Sequence, residues 1–273
     1  MAKESQDICL GACNYNKSTQ LICCAYRDVP ADKRIPQIQC GIDHTRYQLI
    51  VRGKLAERNE FPFMGAIGWR DLFTVNRVIY KCGGALIDRR HLLTAAHCLF
   101  HSNEPLIVVR PGGFNLSDTH AKDFEIDEIY IHTGHEYPSA YNDIAIIRLK
   151  EPYYSTYVVC MYIFTCSAGL ASDTLMKTNL TILTNEACGK YYEQDDHLLY
   201  HGIIHSQLCA NDTVGMSDTC QGDSGGPIIM YRYFYEMPYV VGITSFGNGC
   251  GSGVPGLYTR VASYIHWIEK IVY

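Results

Sequence analysis

Positive charge is in short supply in this chain: 23 Lys and Arg stand against 28 Asp and Glu, for a formal net charge of −5. Phosphate backbones are held by clustered Lys and Arg, so this balance argues against nucleic acid as a ligand. Long apolar runs are missing too. Val158 to Phe164 is typical of the longest, whereas a membrane-spanning helix needs about 20 apolar residues, so no crossing of a bilayer is expected. The opening residues, Met1-Ala2-Lys3-Glu4-Ser5-Gln6-Asp7, contain nothing apolar enough for a secretion signal and predict a start that is incomplete or artificial. No CxxC pair occurs, which removes the commonest zinc pattern. Internal repeats and low-complexity tracts are likewise absent.

Cysteine, in contrast, is plentiful, with 13 residues spread along the whole length. So many thiols do not suit a reducing cytosol, and an oxidising, extracellular compartment with a disulfide framework follows. A hydrophobic content of 47% over 273 residues is enough for a substantial core, in one large domain or one domain with a small appendage. Residues 1–25 hold Cys9, Cys13, Cys23 and Cys24 but few apolar side chains, so they read as a small module stapled by disulfides. Residues 26–49 are polar, carry Pro30, Pro36 and the isolated Cys40, and read as a linker. The main domain spans 50–273. There, β-branched and aromatic runs such as Leu106–Val109, Ile144–Leu149 and Tyr239–Thr244 alternate with Gly, Asn and Pro, the rhythm of an all-β barrel or sandwich. Only the end differs: Val261, Ile265, Ile268 and Val272 recur at helical spacing around Glu269 and Lys270, predicting a C-terminal amphipathic α-helix.

A serine hydroxyl is a poor nucleophile at neutral pH. It needs a histidine to take its proton and a carboxylate to fix that histidine's tautomer. Three segments supply such a set: Leu93-Thr94-Ala95-Ala96-His97-Cys98, Asn142-Asp143-Ile144-Ala145 and Cys220-Gln221-Gly222-Asp223-Ser224-Gly225-Gly226-Pro227. Singly they read as a core histidine, an Asx turn and a glycine-rich loop. Together, in this order and beside these cysteines, they resemble the signature segments of the chymotrypsin (trypsin-like) family of serine proteases. The resemblance implies two antiparallel six-stranded β-barrels with the site between them. It makes His97 the general base and acid, Asp143 its orienting partner and Ser224 the nucleophile. Gly222 and Ser224 would supply the oxyanion-hole N–H groups, and glycine at 222 lets the backbone turn toward substrate with no Cβ in the way. The pocket residues implied are Asp218, Ser245, Gly247 and Gly256. A buried carboxylate at the bottom of an open slot rewards a long cationic side chain, so cleavage after Arg or Lys is expected.

Ile50-Val51-Arg52-Gly53, with Ala56 and Glu60-Phe61-Pro62-Phe63-Met64, resembles the start of the mature catalytic chain in this family. The implied activation cut falls between Leu49 and Ile50, after which the Ile50 ammonium would pair with Asp223 and order the pocket. A pocket built on Asp218 does not suit Leu49, so a separate upstream protease must make that cut. By resemblance, Cys82 pairs with Cys98, Cys188 with Cys209, Cys220 with Cys250, and Cys40 with Cys160. The last pair would keep the N-terminal piece attached after activation. Cys13 through Cys23-Cys24 resembles the end of an arthropod CLIP module, and a cut after leucine resembles the snake-like branch of CLIP proteases. These relay clotting, melanisation and developmental signals, which implies a downstream zymogen as substrate, a serpin as inhibitor and no cofactor.

The chain departs from the family in three places. A complete CLIP module has six cysteines and this one has four, so its front half is missing. Arg52 stands where glycine is usual. Between Cys160 and Cys188 a strand and a surface loop are lacking, so Met161–Ala187 predicts a shortened second barrel and leaves Cys166 without an evident partner. The shortening motivates a competing reading, a catalytically impaired homologue or isoform acting as a binding cofactor. Two weaker patterns remain. His197, His201 and His205 would line up on a helix as metal ligands, but Gly202 interrupts it and a solvated loop is expected. Asn16-Lys17-Ser18, Asn115-Leu116-Ser117, Asn179-Leu180-Thr181 and Asn211-Asp212-Thr213 fit the N-glycosylation sequon.

Overall fold

The structure is a computed structural model. It describes residues 12–13, 37–38 and 54–273, apart from 59, 72, 75–76, 101–105, 113–114, 155–173, 193–197, 212–222, 232–237 and 248–253. Two short strands, β1 (Ala12–Cys13) and β2 (Gln37–Ile38), pair in parallel. The expected module at 1–25 and linker at 26–49 otherwise lie outside the described residues.

The main domain begins with β3 (Lys54–Leu55), and six strands then close a barrel. They are β4 (Met64–Arg70), β5 (Val78–Leu86), β6 (His91–Thr94), β7 (Leu106–Pro111), β8 (Phe124–Ile131) and β9 (Ala145–Leu149), joined in the order β4-β5-β6-β9-β8-β7. The most apolar sequences lie deepest. Leu92 and Leu93 of β6 face Ile147 and Ile146 of β9, and all four are fully buried. The turn into β6 is shaped by Asp88, whose Oδ1 accepts the N–H groups of Arg90 (2.6 Å) and His91 (2.7 Å). A short aspartate folded back on the next residues in this way is an Asx turn, which fixes where β6 starts and so where it delivers His97.

A second sheet holds β11 (Thr181–Leu183), β12 (Gln207–Asn211), β13 (Pro227–Tyr231), β14 (Pro238–Phe246) and β15 (Gly256–Arg260). All its pairings are antiparallel, in the order β11-β12-β15-β14-β13. Between the sheets, β10 (Met176–Lys177) pairs with β3. Where the family resemblance implies a second closed barrel, shortened here, the described residues form an open five-stranded sheet. Among the described residues its two outer strands are β11 and β13. The halves still share one core: Ile229 of β13 and Ile243 of β14 pack into the same buried cluster as the barrel residues.

Helices are few and short: α1 (His97–Phe100), α2 (Asn185–Gly189) and α3 (Ile265–Val272). α2 is capped by Thr184, whose Oγ1 accepts the Ala187 N–H at 3.1 Å. The C-terminal helix lies where its periodicity put it, but its first turn, Val261–Tyr264, is a tighter 3-10 helix. Val261, Tyr264, Ile265 and Ile268 are buried against the barrel. His201 and His205 lie in turns, with Gly202 at φ +64° between them, so no helix aligns them; His197 is outside the described residues. No described helix is long and apolar enough to cross a membrane.

Candidate active site

Strand β6 ends at Thr94; Ala95 and Ala96, both fully buried, follow, and His97 is the first residue of α1. Asp143 arrives from the other direction, just ahead of β9. Its neighbour Asn142 adopts φ 51°, a left-handed conformation that asparagine tolerates. The Asn142 side chain is held at both ends: its Oδ1 accepts from the Tyr264 hydroxyl (2.9 Å) and its Nδ2 donates to the Gly134 carbonyl (2.8 Å). The kink turns Asp143 inward, where it is 1% exposed.

A buried carboxylate needs hydrogen-bond donors around it, and this one has three. Its Oδ1 accepts the His97 backbone N–H at 2.8 Å, and its Oδ2 accepts His97 Nδ1 at 2.7 Å. Oδ2 also accepts the Ser245 hydroxyl, a short hydrogen bond. The Asp143 carbonyl accepts the Thr259 hydroxyl at 2.7 Å. Because a carboxylate accepts only, His97 carries its proton on Nδ1 and presents Nε2 as a base. Burial of the His97 ring opposes its charged form, but the hydrogen bond and charge of Asp143 outweigh it, and the pKa lies above the ordinary 6.5. Burial likewise works against the Asp143 charge, yet the hydrogen bonds and charge of His97, with the Ser245 hydroxyl, hold its pKa below the ordinary 3.8.

The turn that carries Ser224 is held by its backbone. The Ser224 carbonyl accepts the Gly83 N–H of β5 at 2.8 Å, and Gly226 N–H closes a turn onto Asp223 O at 2.9 Å. Gly225 N–H donates to Thr244 O (2.9 Å) and Thr244 N–H to Gly226 O (2.8 Å), which ties the turn to β14. Gly225 itself sits at φ +75°, and a Cβ there would lie 2.2 Å from Thr94 Oγ1 and 2.5 Å from Gly83 O. Only glycine lets this turn press against the end of β6, three residues before His97. The Ser224 hydroxyl makes no hydrogen bond to His97 here; such contacts are often long before substrate binds.

Of the other sequence-predicted residues, Gly256 is buried at the start of β15, Gly247 lies half-buried just past β14, and Asp223 is half-buried in the turn. Cys82 is bridged to Cys98 and Cys188 to Cys209. His97 Nε2 is 3.8 Å from the Cys98 sulfur, but this sulfur is in a disulfide, so the Cys82–His97–Cys98 cluster has no thiolate to offer a metal. Asp218, Gly222, Leu49, Ile50, Cys40, Cys160, Cys166, Cys220 and Cys250 lie outside the described residues. Two contacts escape sequence reasoning. Ser245, expected to line the pocket, gives its hydroxyl to Asp143, and Thr259, with no expected role, braces the same residue. No local pattern announces either, since they come from chain positions 102 and 116 residues away.

A closed β-barrel meeting a second antiparallel sheet, with a buried carboxylate bound to histidine and a glycine-pinned serine turn, is the arrangement expected of a trypsin-like serine hydrolase. The Trypsin family profile matches residues 50–268, so the chain belongs to the trypsin family of serine endopeptidases. Its relatives place it in the arthropod CLIP-type group. Serine protease snk of Drosophila melanogaster is 35% identical over 82% of this chain, which spans 57% of that relative's length. The Clotting factor G beta subunit of Tachypleus tridentatus is 31% identical over 82% of this chain and 80% of its own. CLIP domain-containing serine protease B4 of Anopheles gambiae is 30% identical over 99% and 83%.

Proposed function

We propose that the chain is a secreted zymogen of a serine endopeptidase that cleaves a downstream protein, itself a zymogen, after Arg or Lys in an extracellular cascade. The observation that carries this reading is the buried Asp143 carboxylate bound to both His97 N–H and Nδ1, which leaves Nε2 as the ring's basic nitrogen. His97 takes the Ser224 proton as Oγ attacks the scissile carbonyl, and Asp143 stabilises the imidazolium that forms. The N–H groups of Gly222 and Ser224 hold the developing oxyanion, each worth about 3 to 4 kcal/mol of transition-state stabilisation. His97 then returns the proton to the leaving amine, and a water repeats the sequence on the acyl-enzyme.

Asp218 sets the Arg/Lys preference, with Gly247 and Gly256 leaving the slot open. Activation is a cut after Leu49 by an upstream protease of aliphatic preference, and the freed Ile50 ammonium pairs with Asp223. A serpin is the fitting inhibitor. The relatives' names, among them a clotting factor subunit, support placement in a cascade. A second reading, a catalytically impaired homologue acting as a binding cofactor, rests on the five-stranded sheet that the described residues form in place of a second closed barrel.

Labelling with a serine-directed phosphonate after cleavage at Leu49 separates the two. Covalent capture at Ser224 supports the enzyme, and a correctly cut, folded chain that stays unlabelled supports the cofactor. Arg- and Lys-terminated peptide substrates must outperform Phe or Leu ones, and N-terminal sequencing of the active form must begin at Ile50.

A further inference from the structure

The second sheet has two outer strands, and they are protected unequally. β13 begins with Pro227, which has no N–H to offer, and its register against β14 shifts between Ile228 and Ile229. Imino acids and bulges are devices that discourage an edge strand from pairing with a foreign chain. β11 has neither. Its sequence is Thr181-Ile182-Leu183, it carries no charge, and it pairs in regular register with β12 alone among the described residues. Ile182 is 49% exposed. A regular, uncharged edge with an exposed isoleucine invites addition of a strand from a second copy.

The sequon Asn179-Leu180-Thr181 runs into this edge. Asn179 and Thr181 are both exposed, and Thr181 is the first residue of β11. The other sequons are placed differently. Asn115 is half-buried, its Oδ1 accepts the Ser117 N–H at 2.8 Å, and its backbone bridges Thr174. Asn211 is half-buried within β12, paired with Thr181, and Asn16 lies outside the described residues.

We propose that Asn179 carries an N-linked oligosaccharide, and that this glycan is the cover for the edge of β11 that is unpaired among the described residues. The donor is a polyprenyl-diphosphate-linked oligosaccharide. The Asn179 carboxamide nitrogen bonds to the anomeric carbon, the bond from that carbon to the diphosphate oxygen breaks, polyprenyl diphosphate leaves, and the nitrogen gives one proton to a base of the transferase. A hydrated polymer attached two residues before Thr181 occupies the space an incoming strand needs. The proposal rests on the secretory reading above, because the transfer occurs only on chains that enter the secretory pathway.

The test is expression of the full chain behind a heterologous secretion leader in cells that N-glycosylate, followed by peptide mapping with and without an amide-cleaving glycosidase. Asn179 is expected to be modified, and Asn179→Gln and Thr181→Ala each to lose that glycan. Light scattering of secreted Asn179→Gln should show concentration-dependent association, which the added substitution Ile182→Lys reverses by charging the edge. Secreted protein with its Cys82–Cys98 and Cys188–Cys209 bridges but an unmodified Asn179 would overturn the proposal alone. A glycosylated Asn179 whose removal leaves the protein monomeric would overturn the covering role. A chain retained in the cell without those bridges would overturn both the proposal and the secretory reading.

Discussion

In the barrel β4-β5-β6-β9-β8-β7 every strand has a strand on each side, whereas in the sheet β11-β12-β15-β14-β13 the outer two have one neighbour each among the described residues. Leu92, Leu93, Ile146, Ile147 and Leu149 of the barrel are fully buried, while the outer strands of the sheet leave Ile182 49% and Tyr231 52% exposed. The site draws on both halves. His97 and Asp143 are aligned on the closed barrel, and the turn that carries Ser224 is tied by its backbone to β5 of the barrel and β14 of the second sheet. In the proposed mechanism the base is therefore built into the barrel, and the position of the nucleophile depends on how the second sheet docks.

The sharpest way to break this division is Asp143→Asn, which leaves both halves folded and spoils only the alignment within the barrel. An amide can turn its NH2 toward Nδ1 and favour the wrong tautomer, so kcat should fall by about 10⁴-fold, the loss seen when this carboxylate is neutralised in well-characterised family members. The pH profile carries the cause. Activity needs neutral His97, so it falls as pH drops through a His97 pKa raised above 6.5. Without Asp143 only burial remains, which lowers that pKa, and the acid limb of kcat/KM should move to lower pH. The stability linkage has two limits. The raised His97 contributes fully below its unfolded pKa and is lost as pH rises through the folded value; the depressed Asp143 contributes above its unfolded pKa and is lost as pH falls through the folded value. Urea unfolding across pH should show the pair's contribution centred between those limits and absent in Asp143→Asn.

Truncations measure the packing contrast directly. Leu93→Ala removes a fully buried side chain from a barrel with little room to collapse and should cost about 3 to 5 kcal/mol in urea unfolding. Ile182→Ala, at the open edge, should cost less than about 1 kcal/mol. Equal costs would mean that the two halves are packed alike. The docking between them is tested by Gly225→Ala. With φ +75° and a backbone oxygen 2.5 Å from the new Cβ, the turn must shift, at a cost of about 2 to 3 kcal/mol. Phosphonate labelling of Ser224 should slow in this variant, and urea unfolding should show the same loss of stability, because the turn presses on β5 and β6 of the barrel.

The closed half was also the more legible in sequence. Its strands are short β-branched runs that read as buried β-structure, and β7 and β9 lie where Leu106–Val109 and Ile144–Leu149 put them. His97, Asp143 and Ser224 could be singled out because each sits in a compact motif. In the second half the run Tyr239–Thr244 lies within β14, while the deficit expected between Cys160 and Cys188 falls largely outside the described residues. Which strands would be left at the edges depends on the order of pairing, and one-dimensional spacing does not encode that order. Helical periodicity found α3 but not the 3-10 turn before it, since apolar spacing is nearly the same in both.

Ser245 joins the two halves most directly, and sequence reasoning gave it a different task. Its hydroxyl reaches from β14 of the open sheet to Asp143 of the barrel. Ser245→Ala removes one of three donors to a carboxylate that is 1% exposed, at a cost of about 1 to 2 kcal/mol. Because that hydroxyl helps keep the Asp143 pKa low, its loss should raise that pKa and bring the acid loss of the pair's stability contribution to higher pH. kcat should fall by roughly tenfold, with KM for an Arg substrate nearly unchanged. A residue that served only to line the pocket would show the opposite split, a raised KM and a preserved kcat. The ratio of the two therefore decides whether Ser245 braces the carboxylate across the join or belongs to the open half alone.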